Sequence, residues 1–336
     1  MIISRTPFRI SFFGGGTDYP SWYKEHGGAV LSTTIDKYCY VICRYLPPFF
    51  DYKYRIRYTK REETKTIAEI QHPSVRECLR FLDIERGVEI QHNADLPAMS
   101  GLGSSSSFTV GLLHALYGMI GKMVTKRQLA LDGIVVEQER IKENVGSQDQ
   151  TSVAFGGFNK IVFDAQRTIE IHPLVLSEER STMLQRHMML FFIGFPREAS
   201  IIAGEQIKNI PRNREQLKTM KDIVAEASRL LSSDNDIDDE FGRLLNENWK
   251  LKRSLASQVS NNHIDDLYKA ALDAGALGAK LLGAGGGGFM LVFARPEVQP
   301  QIREKLKDLL CVPFHFETLG TQIIFFCHDD YAKDVL

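Results

Sequence analysis

The chain has 336 residues, of which 43% are hydrophobic and 25% charged, and its net charge is −1. This is the composition of an ordinary globular protein that is long enough for two domains. Because basic and acidic residues are interspersed, we expect neither a nucleic-acid nor a membrane partner. The first residues lack the apolar segment of a signal peptide, so we expect a cytoplasmic protein. The five cysteines form no CxxC pair, which indicates reduced core thiols.

The chain opens with a predicted strand over residues 1–13 that runs into Gly14-Gly15-Gly16-Thr17-Asp18. Three glycines strip this turn of side chains, which predicts that a ligand approaches its backbone. Asp18 is the first acid available to bond such a ligand, although it could instead cap the segment that follows. Arg9 lies on the strand and could face an anion or simply be exposed.

The next elements are mostly strands. Strands are predicted over 29–45, 52–59 and 87–93, a charged loop over 60–65 and a helix over 67–81.

Residues 100–107, the glycine–serine loop, combine Gly101 and Gly103 with four serines and lead into an apolar helix. Glycines let a ligand approach closely, and the free N–H groups at the start of the helix favour an anion. The P-loop lysine is absent, and Ser106 stands where the dinucleotide fingerprint needs its third glycine. The loop therefore predicts a phosphate cradle of another kind, with an ordinary serine-rich helix cap as the alternative.

A second helix is predicted over 134–144, and it carries Glu137 and Glu139 shortly before Gln148-Asp149-Gln150. Each acid alone is typical of a solvated helix face. Together with the serine hydroxyls of the glycine–serine loop, however, carboxylates from this stretch would form an oxygen-rich pocket suited to Mg²⁺.

The second half follows a polar connector over 165–186, which we interpret as the domain boundary. A strand is predicted over 187–194, then helices over 214–232, 239–258 and 265–282, a glycine loop over 283–288, a strand over 289–293, a helix over 300–309 and two last strands. Residues 283–288 match GxGxxG, but the dinucleotide motif needs a strand before the loop and a helix after it. This third glycine loop is thus either backbone packed near a ligand or a tight helix-to-strand turn.

Three separated glycine loops, with an acid after the central helix, resemble the GHMP kinases over nearly the whole chain. The first motif is Pro7 to Gly14 with Thr17-Asp18-Tyr19, the second runs from Pro97 to Ser106, and the third is the loop over 283–288. Galactokinases have Glu-His where Gly15 and Gly16 stand here. The glycine opening and the stretches 139–140, 148–150 and 155–159 look most like D-glycero-D-manno-heptose 7-phosphate kinases.

The resemblance implies a two-domain α+β GHMP kinase fold. The N-terminal domain, similar to ribosomal protein S5 domain 2, would span 1–175, and a ferredoxin-like C-terminal domain would span 176–336. The active site would lie in the cleft between them. The resemblance leaves open whether the protein is a monomer or a homodimer.

The resemblance also implies residue roles. Asp149 would accept the proton of the attacking hydroxyl, and Arg9 would stabilise the nucleophile. Mg²⁺ would be held by Ser105 and Glu139, while Glu137 would be exposed or act indirectly. The ATP phosphates would lie on Ser100, Gly101, Leu102, Gly103, Ser104, Ser105 and Ser106, with Gly285, Gly286 and Gly287 in the third loop.

For the substrate, Asp18, Gly15 and Gly16 would contact the sugar, and a cation would clamp a distal phosphate. The candidates for this cation are Arg197, Lys252, Arg253 and Lys280. The implied reaction is ATP-dependent phosphorylation at C1 of D-glycero-D-manno-heptose 7-phosphate to the 1,7-bisphosphate, towards GDP-heptose and surface glycans. The alternatives are a kinase for a neutral sugar such as fucose or galactose, and a sensor of nucleotide or sugar without turnover.

Overall fold

The computed structural model describes residues 1–166, 168–195, 199–233 and 236–327. The strands in these ranges are β1 (Ile2–Phe13), β2 (Gly28–Tyr45), β3 (Tyr54–Arg57), β4 (Arg61–Thr64), β5 (Val88–Ala94), β6 (Phe158–Phe163), β7 (Ile169–Pro173), β8 (Met188–Phe192), β9 (Gly278–Leu281), β10 (Phe289–Phe293), β11 (Leu310–Cys311), β12 (Phe316–Glu317) and β13 (Gln322–Phe326).

The α-helices in the same ranges are α1 (Pro20–His26), α2 (Pro73–Phe81), α3 (Ser104–Met119), α4 (Lys126–Ile134), α5 (Gln148–Phe155), α6 (Glu178–His187), α7 (Ala199–Asn209), α8 (Arg214–Leu231), α9 (Asp238–Ser254), α10 (Asn262–Asp273) and α11 (Gln299–Lys305). Residues 135–140 form a π-helical segment, and 3-10 turns lie at 67–69 and 210–212. None of the helices in the described ranges is long and apolar enough to cross a membrane.

The long strand β2 organises the first sheet. It pairs with β1 along most of its length, with β6 over its first part and with β5 over its last part. The main path of the sheet runs β13-β1-β2-β5-β3-β4, and all its pairs are antiparallel except β3 with β5. Strand β1 therefore lies well inside the sheet, and its end carries the glycine turn over 14–16.

Helix α3 is the central helix of the first half. It packs on β1 and β2, and apolar side chains such as Val110, Leu113 and Leu116 are fully buried. The Ser4 hydroxyl donates to the carbonyl oxygen of Gly111 at 2.7 Å, so β1 and α3 touch closely. This contact fixes where α3 begins relative to the end of β1.

The second sheet runs β11-β8-β10-β9 and is antiparallel throughout. Its core includes Trp249 of α9 and Met290 of β10, both fully buried. The last strands, β12 and β13, pair with β2 and β1 of the first sheet. The domain boundary at 175/176 stays a prediction.

Several predicted elements are wrong in detail. The helix predicted over 265–282 ends at Asp273, because Gly275 takes a left-handed φ of 98°, and β9 follows as a strand paired with β10. The charged stretch 60–65 contains β4, in which Glu62 turns inward and accepts the backbone N–H groups of Gln71 and His72.

The polar connector predicted over 165–186 contains β7 and α6 instead. The helix predicted over 134–144 is reduced to the π-helical segment, which continues the unpredicted helix α4. Helix α7 was also not predicted. These four unpredicted elements, β7, α6, α4 and α7, depend on tertiary pairing or packing, since their sequences are too polar or too short for a clear period.

Candidate active site

The glycine–serine loop forms the start of α3, as predicted. Gly101 and Gly103 have φ of 81° and 75°, and Gly103 is the residue that caps the helix. The N–H groups of the first turn of this 16-residue helix have no partner within the helix, which favours an anion.

The four serines of the loop have different environments. Ser104 accepts the backbone N–H of Met99 at 3.0 Å, and Ser107 donates to the carbonyl oxygen of Pro7 at 2.9 Å. Ser106 is buried and donates to Glu137 Oε2 at 2.8 Å, whereas Ser105 is exposed. Only part of the run therefore faces solvent where a ligand would arrive.

Arg9 and Asp149 form a two-point ion pair beside this loop. Arg9 Nε and Nη2 donate to Asp149 Oδ1 and Oδ2 at 2.8 and 2.7 Å, and Nη1 donates to the carbonyl oxygen of Gly101 at 2.8 Å. The Arg9 side chain is 4% exposed and that of Asp149 is 26% exposed. Asp149 lies in the first turn of α5, where the helix dipole favours its charge. The guanidinium thus holds a carboxylate, accessible from one side, next to the loop.

Asp18 lies at the centre of the same site. It is buried and accepts the backbone N–H of Gly16 at 2.9 Å and that of Gln148 at 3.4 Å. Burial raises the pKa of Asp18, and the charge of Asp149 raises it further. Asp18 therefore joins the glycine turn after β1 to the segment that carries Asp149, while its predicted contact with a sugar stays a prediction, as do those of Gly15 and Gly16.

Gly146 is required for this arrangement and was missed from the sequence. A Cβ on Gly146 would lie 1.8 Å from Asp18 Oδ2. A lone glycine before Ser147 gave no signal that could be told from an ordinary loop residue.

The environments of Glu137 and Glu139 are opposite to those that the sequence predicted. Glu137, expected to be exposed or indirect, is fully buried and accepts hydrogen bonds from Ser106 and Gln150. Glu139, expected to hold Mg²⁺ with Ser105, is exposed. Residues two apart on a helix point in nearly opposite directions, so only one of the pair can face the serines.

Burial raises the pKa of Glu137 to about 7. Its Oε1 atom is buried without a hydrogen-bond partner, and the same is true of Gln150 Oε1 and Ser100 Oγ. Unpaired buried oxygens are costly, so these atoms favour binding of a cation or of a hydrogen-bond donor. Oxygen donors of this kind suit Mg²⁺. The described residues contain no group of three His, Cys, Asp or Glu that could hold a metal ion. Mg²⁺ is commonly bound by one or two protein carboxylates together with phosphate oxygens and waters.

Two of the four cations that were predicted to clamp a phosphate, Lys280 and Arg253, have internal partners. Lys280 is 2% exposed and donates to the carbonyl oxygens of Ser11 and Phe12 at 2.8 and 2.7 Å, so it ties β9 to β1 and cannot clamp a substrate. Burial lowers the pKa of Lys280 well below its usual range. Arg253 pairs with Asp265 at 2.8 Å. Arg197 lies outside the described residues.

Lys252, in contrast, lies within the site. It is 6% exposed, donates to the carbonyl oxygen of Gly283 and is close enough to Arg9, Asp18 and Asp149 for their charges to act on it. Burial lowers the pKa of Lys252 to about 8, and the charge of Arg9 contributes to the decrease.

The third glycine loop, including Gly285, Gly286 and Gly287, connects β9 to β10, so it is a strand-to-strand loop and not the helix-to-strand turn that was one of its two predicted alternatives. A Cβ on Gly283 would lie 2.4 Å from Gly101 Cα, and one on Gly288 would lie 2.4 Å from the carbonyl oxygen of Ser100. The two loops therefore pack backbone against backbone, and neither tolerates a side chain at the contact.

Comparison with known proteins identifies this arrangement. Residues 69–157 match the model of the GHMP kinases N terminal domain, and residues 236–310 match that of the GHMP kinases C terminal domain. The chain belongs to the GHMP kinases. It is accordingly an ATP-dependent phosphotransferase that acts on a hydroxyl group, and the predicted two-domain GHMP kinase fold is confirmed.

Among curated relatives, this GHMP kinase is 29% identical over 307 residues to D-glycero-alpha-D-manno-heptose 7-phosphate kinase of Campylobacter jejuni, which covers 88% of this chain and 90% of the relative. It is 26% identical over 324 residues to galactokinase of Pyrococcus furiosus, covering 85% and 87% of the two chains. A solved D-glycero-D-manno-heptose 1-phosphate kinase from Bacteroides thetaiotaomicron superposes with a TM-score of 0.79 at 22% identity, over 98% of this chain and 100% of that one. That structure supports the fold alone.

Proposed function

We propose that this GHMP kinase phosphorylates the anomeric C1 hydroxyl of D-glycero-D-manno-heptose 7-phosphate, using ATP and Mg²⁺, in the cytoplasm and as a step towards GDP-heptose. The observation that carries the chemistry is the Arg9–Asp149 pair at the edge of the glycine–serine loop. The similarity to the Campylobacter jejuni heptose 7-phosphate kinase over 88% of the chain supports the choice of sugar.

In this proposal Asp149 accepts the proton of the attacking hydroxyl while Arg9 keeps the carboxylate in place. Each carboxylate oxygen retains a lone pair beyond its bond to the guanidinium, so Asp149 can still accept. An anomeric hydroxyl is more acidic than an ordinary alcohol, which makes a carboxylate an adequate base. Phosphoryl transfer depends on positioning and on charge neutralisation more than on covalent chemistry.

We assign the ATP phosphates to residues 100–106, whose helix N–H groups face the loop opening. Glu137, with Ser106 and the exposed Ser105, fits Mg²⁺ better than Glu139, because Glu137 has a buried, unpartnered oxygen beside the serines. Bound Mg²⁺ would supply neutralisation of phosphate charge.

A kinase for a neutral sugar is the second candidate. Within the described residues, Lys280 and Arg253 have internal partners, and Lys252 lies near Asp149, the proposed base, so none of these three is placed to clamp a distal phosphate. A neutral hexose would need no such clamp.

The test measures ATP consumption by the purified protein with Mg²⁺ on heptose 7-phosphate, unphosphorylated heptose, mannose, fucose and galactose. We expect turnover on heptose 7-phosphate, with ³¹P NMR placing the new phosphate on C1. Asp149→Asn should lower kcat by about 10²- to 10⁴-fold, the usual contribution of a positioned base. Asp266→Asn, the same change at an exposed position of α10, should not.

Turnover on a neutral sugar alone would replace the heptose assignment with the second candidate. Undiminished turnover by the Asp149→Asn protein would remove Asp149 from the reaction.

A further inference from the structure

Lys252 is a buried cation that the fold leaves incompletely bonded. Its ammonium group carries three N–H donors. Within the described part of the chain, the one hydrogen-bond acceptor it has is the carbonyl oxygen of Gly283. Lys280, the other buried lysine of the site, has two carbonyl acceptors on β1 and so is accounted for as a structural tie. Burying an ammonium group is costly unless its donors and its charge are matched, so we expect Lys252 to have a further partner.

The charges around Lys252 come from four elements. Arg9 on β1 and Lys280 on β9 are positive, while Asp18 after β1 and Asp149 on α5 are negative. Asp149 is already paired at two points by Arg9, and both oxygens of Asp18 accept backbone N–H groups. In the described residues neither carboxylate forms an ion pair with Lys252 within 4 Å. The additional partner of the Lys252 ammonium group is therefore an anion that binds in the site.

The anchor of Lys252 lies at the contact between the two loops. Gly283 packs against Gly101, so close that a Cβ on Gly283 would lie 2.4 Å from Gly101 Cα. The carbonyl oxygen of Gly101 is bonded by Arg9, as that of Gly283 is by Lys252. Two cations, one from each half of the chain, are thus fixed to adjoining loop carbonyls next to the same carboxylate.

We propose that Lys252 binds the phosphoryl group during its transfer, as a second cation opposite Arg9, and does not clamp a distal phosphate of the sugar. This inference rests on the proposed function of the site as a phosphotransferase centre. The equatorial oxygens of a transferring phosphoryl group carry most of the charge, and a fixed cation in a water-poor site stabilises them strongly. Lysine suits this role because its ammonium group is a compact point charge.

A pH profile separates this role from a purely structural one. Because Lys252 must be protonated to bind the phosphoryl group and its pKa in the free protein is lowered to about 8, kcat/KM should fall as the pH rises above 8. Lys252→Arg keeps its charge at any working pH, so its profile should extend at least one pH unit further. Arg9, Asp18, Asp149 and Lys280 are the same in both proteins, which assigns any difference to position 252.

The experiment compares wild type, Lys252→Met, Lys252→Arg and Lys250→Met with MgATP and whichever sugar the wild type phosphorylates. Lys250 is exposed and lies on the same helix, so Lys250→Met is the matched control. We expect Lys252→Met to lower kcat by about 10²- to 10³-fold with the KM for the sugar changed less than threefold. Lys252→Arg should recover at least tenfold of that loss, and Lys250→Met should behave as wild type.

A kcat for Lys252→Met within threefold of wild type would overturn the proposal, as would an alkaline limb that does not move in Lys252→Arg. If Lys252→Met does not fold, the pH profile of Lys252→Arg decides alone.

Should the wild type phosphorylate none of the sugars, the proposed function fails, but Lys252 can still be tested. Titration calorimetry would then compare MgADP with MgADP plus aluminium fluoride, a mimic of the transferring phosphoryl group. A tenfold or greater loss of affinity in Lys252→Met for the fluoride complex alone supports the inference. An equal change for both ligands overturns it.

Discussion

The glycine–serine loop and the third glycine loop both need glycine where they touch, but they lead into different elements. The first precedes a 16-residue helix, and Gly103, with a left-handed φ of 75°, caps the helix start with its free N–H groups. The third joins two strands, and at the contact Gly283 and Gly288 of this loop, like Gly101 of the first, combine a left-handed φ with a Cβ position that the backbone of the other loop occupies.

A run of glycines is therefore not by itself an anion site. The glycine–serine loop has the helix start, the serine hydroxyls and the neighbouring carboxylates that the chemistry needs. The third loop packs against the first, and the carbonyl oxygen of its Gly283 positions Lys252. Changes near the first loop should mainly affect the reaction, and changes in the third should affect folding as well.

Among the changes that test this comparison of the two loops, the largest expected effect concerns Glu137, the acid bonded to the glycine–serine loop. Glu137→Gln should lower kcat about 10²-fold and raise the Mg²⁺ concentration needed for half-maximal activity, because it removes a buried carboxylate charge beside the serines. Steady-state assays across a Mg²⁺ titration measure both.

Glu139→Gln is the matched control, since it makes the same change on an exposed side chain two residues away. Activity within about twofold of wild type is expected. Equal losses for the two variants would contradict the assignment of Glu137 and restore the sequence prediction.

An intermediate effect is expected for Gly283→Ala in the third loop. Its φ of 76° is strained for alanine, and the new Cβ would lie 2.4 Å from Gly101 Cα. The free energy of unfolding should fall by at least about 2 kcal/mol, with activity reduced because the two loops are pushed apart. Urea unfolding and kcat/KM measure these two changes.

Gly121→Ala isolates the backbone strain in this experiment. Gly121 has nearly the same φ, 71°, and a Cβ there would meet nothing within 4 Å. Gly121→Ala should lower the free energy of unfolding by only about 1 kcal/mol and leave the activity unchanged. If Gly283→Ala cost no more than Gly121→Ala, the close packing of the two loops would not matter to stability.

The smallest effect concerns the helix that supports the glycine–serine loop. His92 packs on Phe108 of α3, with 4.9 Å between ring centroids, and burial lowers the pKa of His92 to about 4. Because the ordinary value is about 6.5, the unfolded chain binds more protons between pH 6.5 and 4. Stability is complete above pH 6.5 and is lost as the pH falls through this window.

Between pH 7 and pH 5, the free energy of unfolding of His92→Gln, measured by urea unfolding, should therefore decrease by about 1–2 kcal/mol less than that of wild type. Some acid sensitivity should remain, since burial also lowers the pKa of His114 to about 4. An unchanged pH dependence would show that His92 is protonated without cost in the folded protein.

The sequence by itself determined the features whose signals are local. The strand that carries Arg9, the glycine turn at 14–16 and the helix start at Ser104 lie as predicted, because glycine pairs, serine runs and apolar periodicity act over a few residues. The family motifs made of these features allowed the fold class to be predicted as well.

Tertiary structure decided which polar side chains face the site. Glu137 and Glu139 lie in one short π-helical segment with apolar neighbours on several sides, so no sequence period fixed which of them points inward. Lys252 and Lys280 are both buried, but Lys280 on the fully buried strand β9 donates to two backbone carbonyls of β1, while α9 brings Lys252 to the loop contact. Burial and hydrogen-bond partners come from segments far apart in the chain, and these alone separate a structural charge from a functional one.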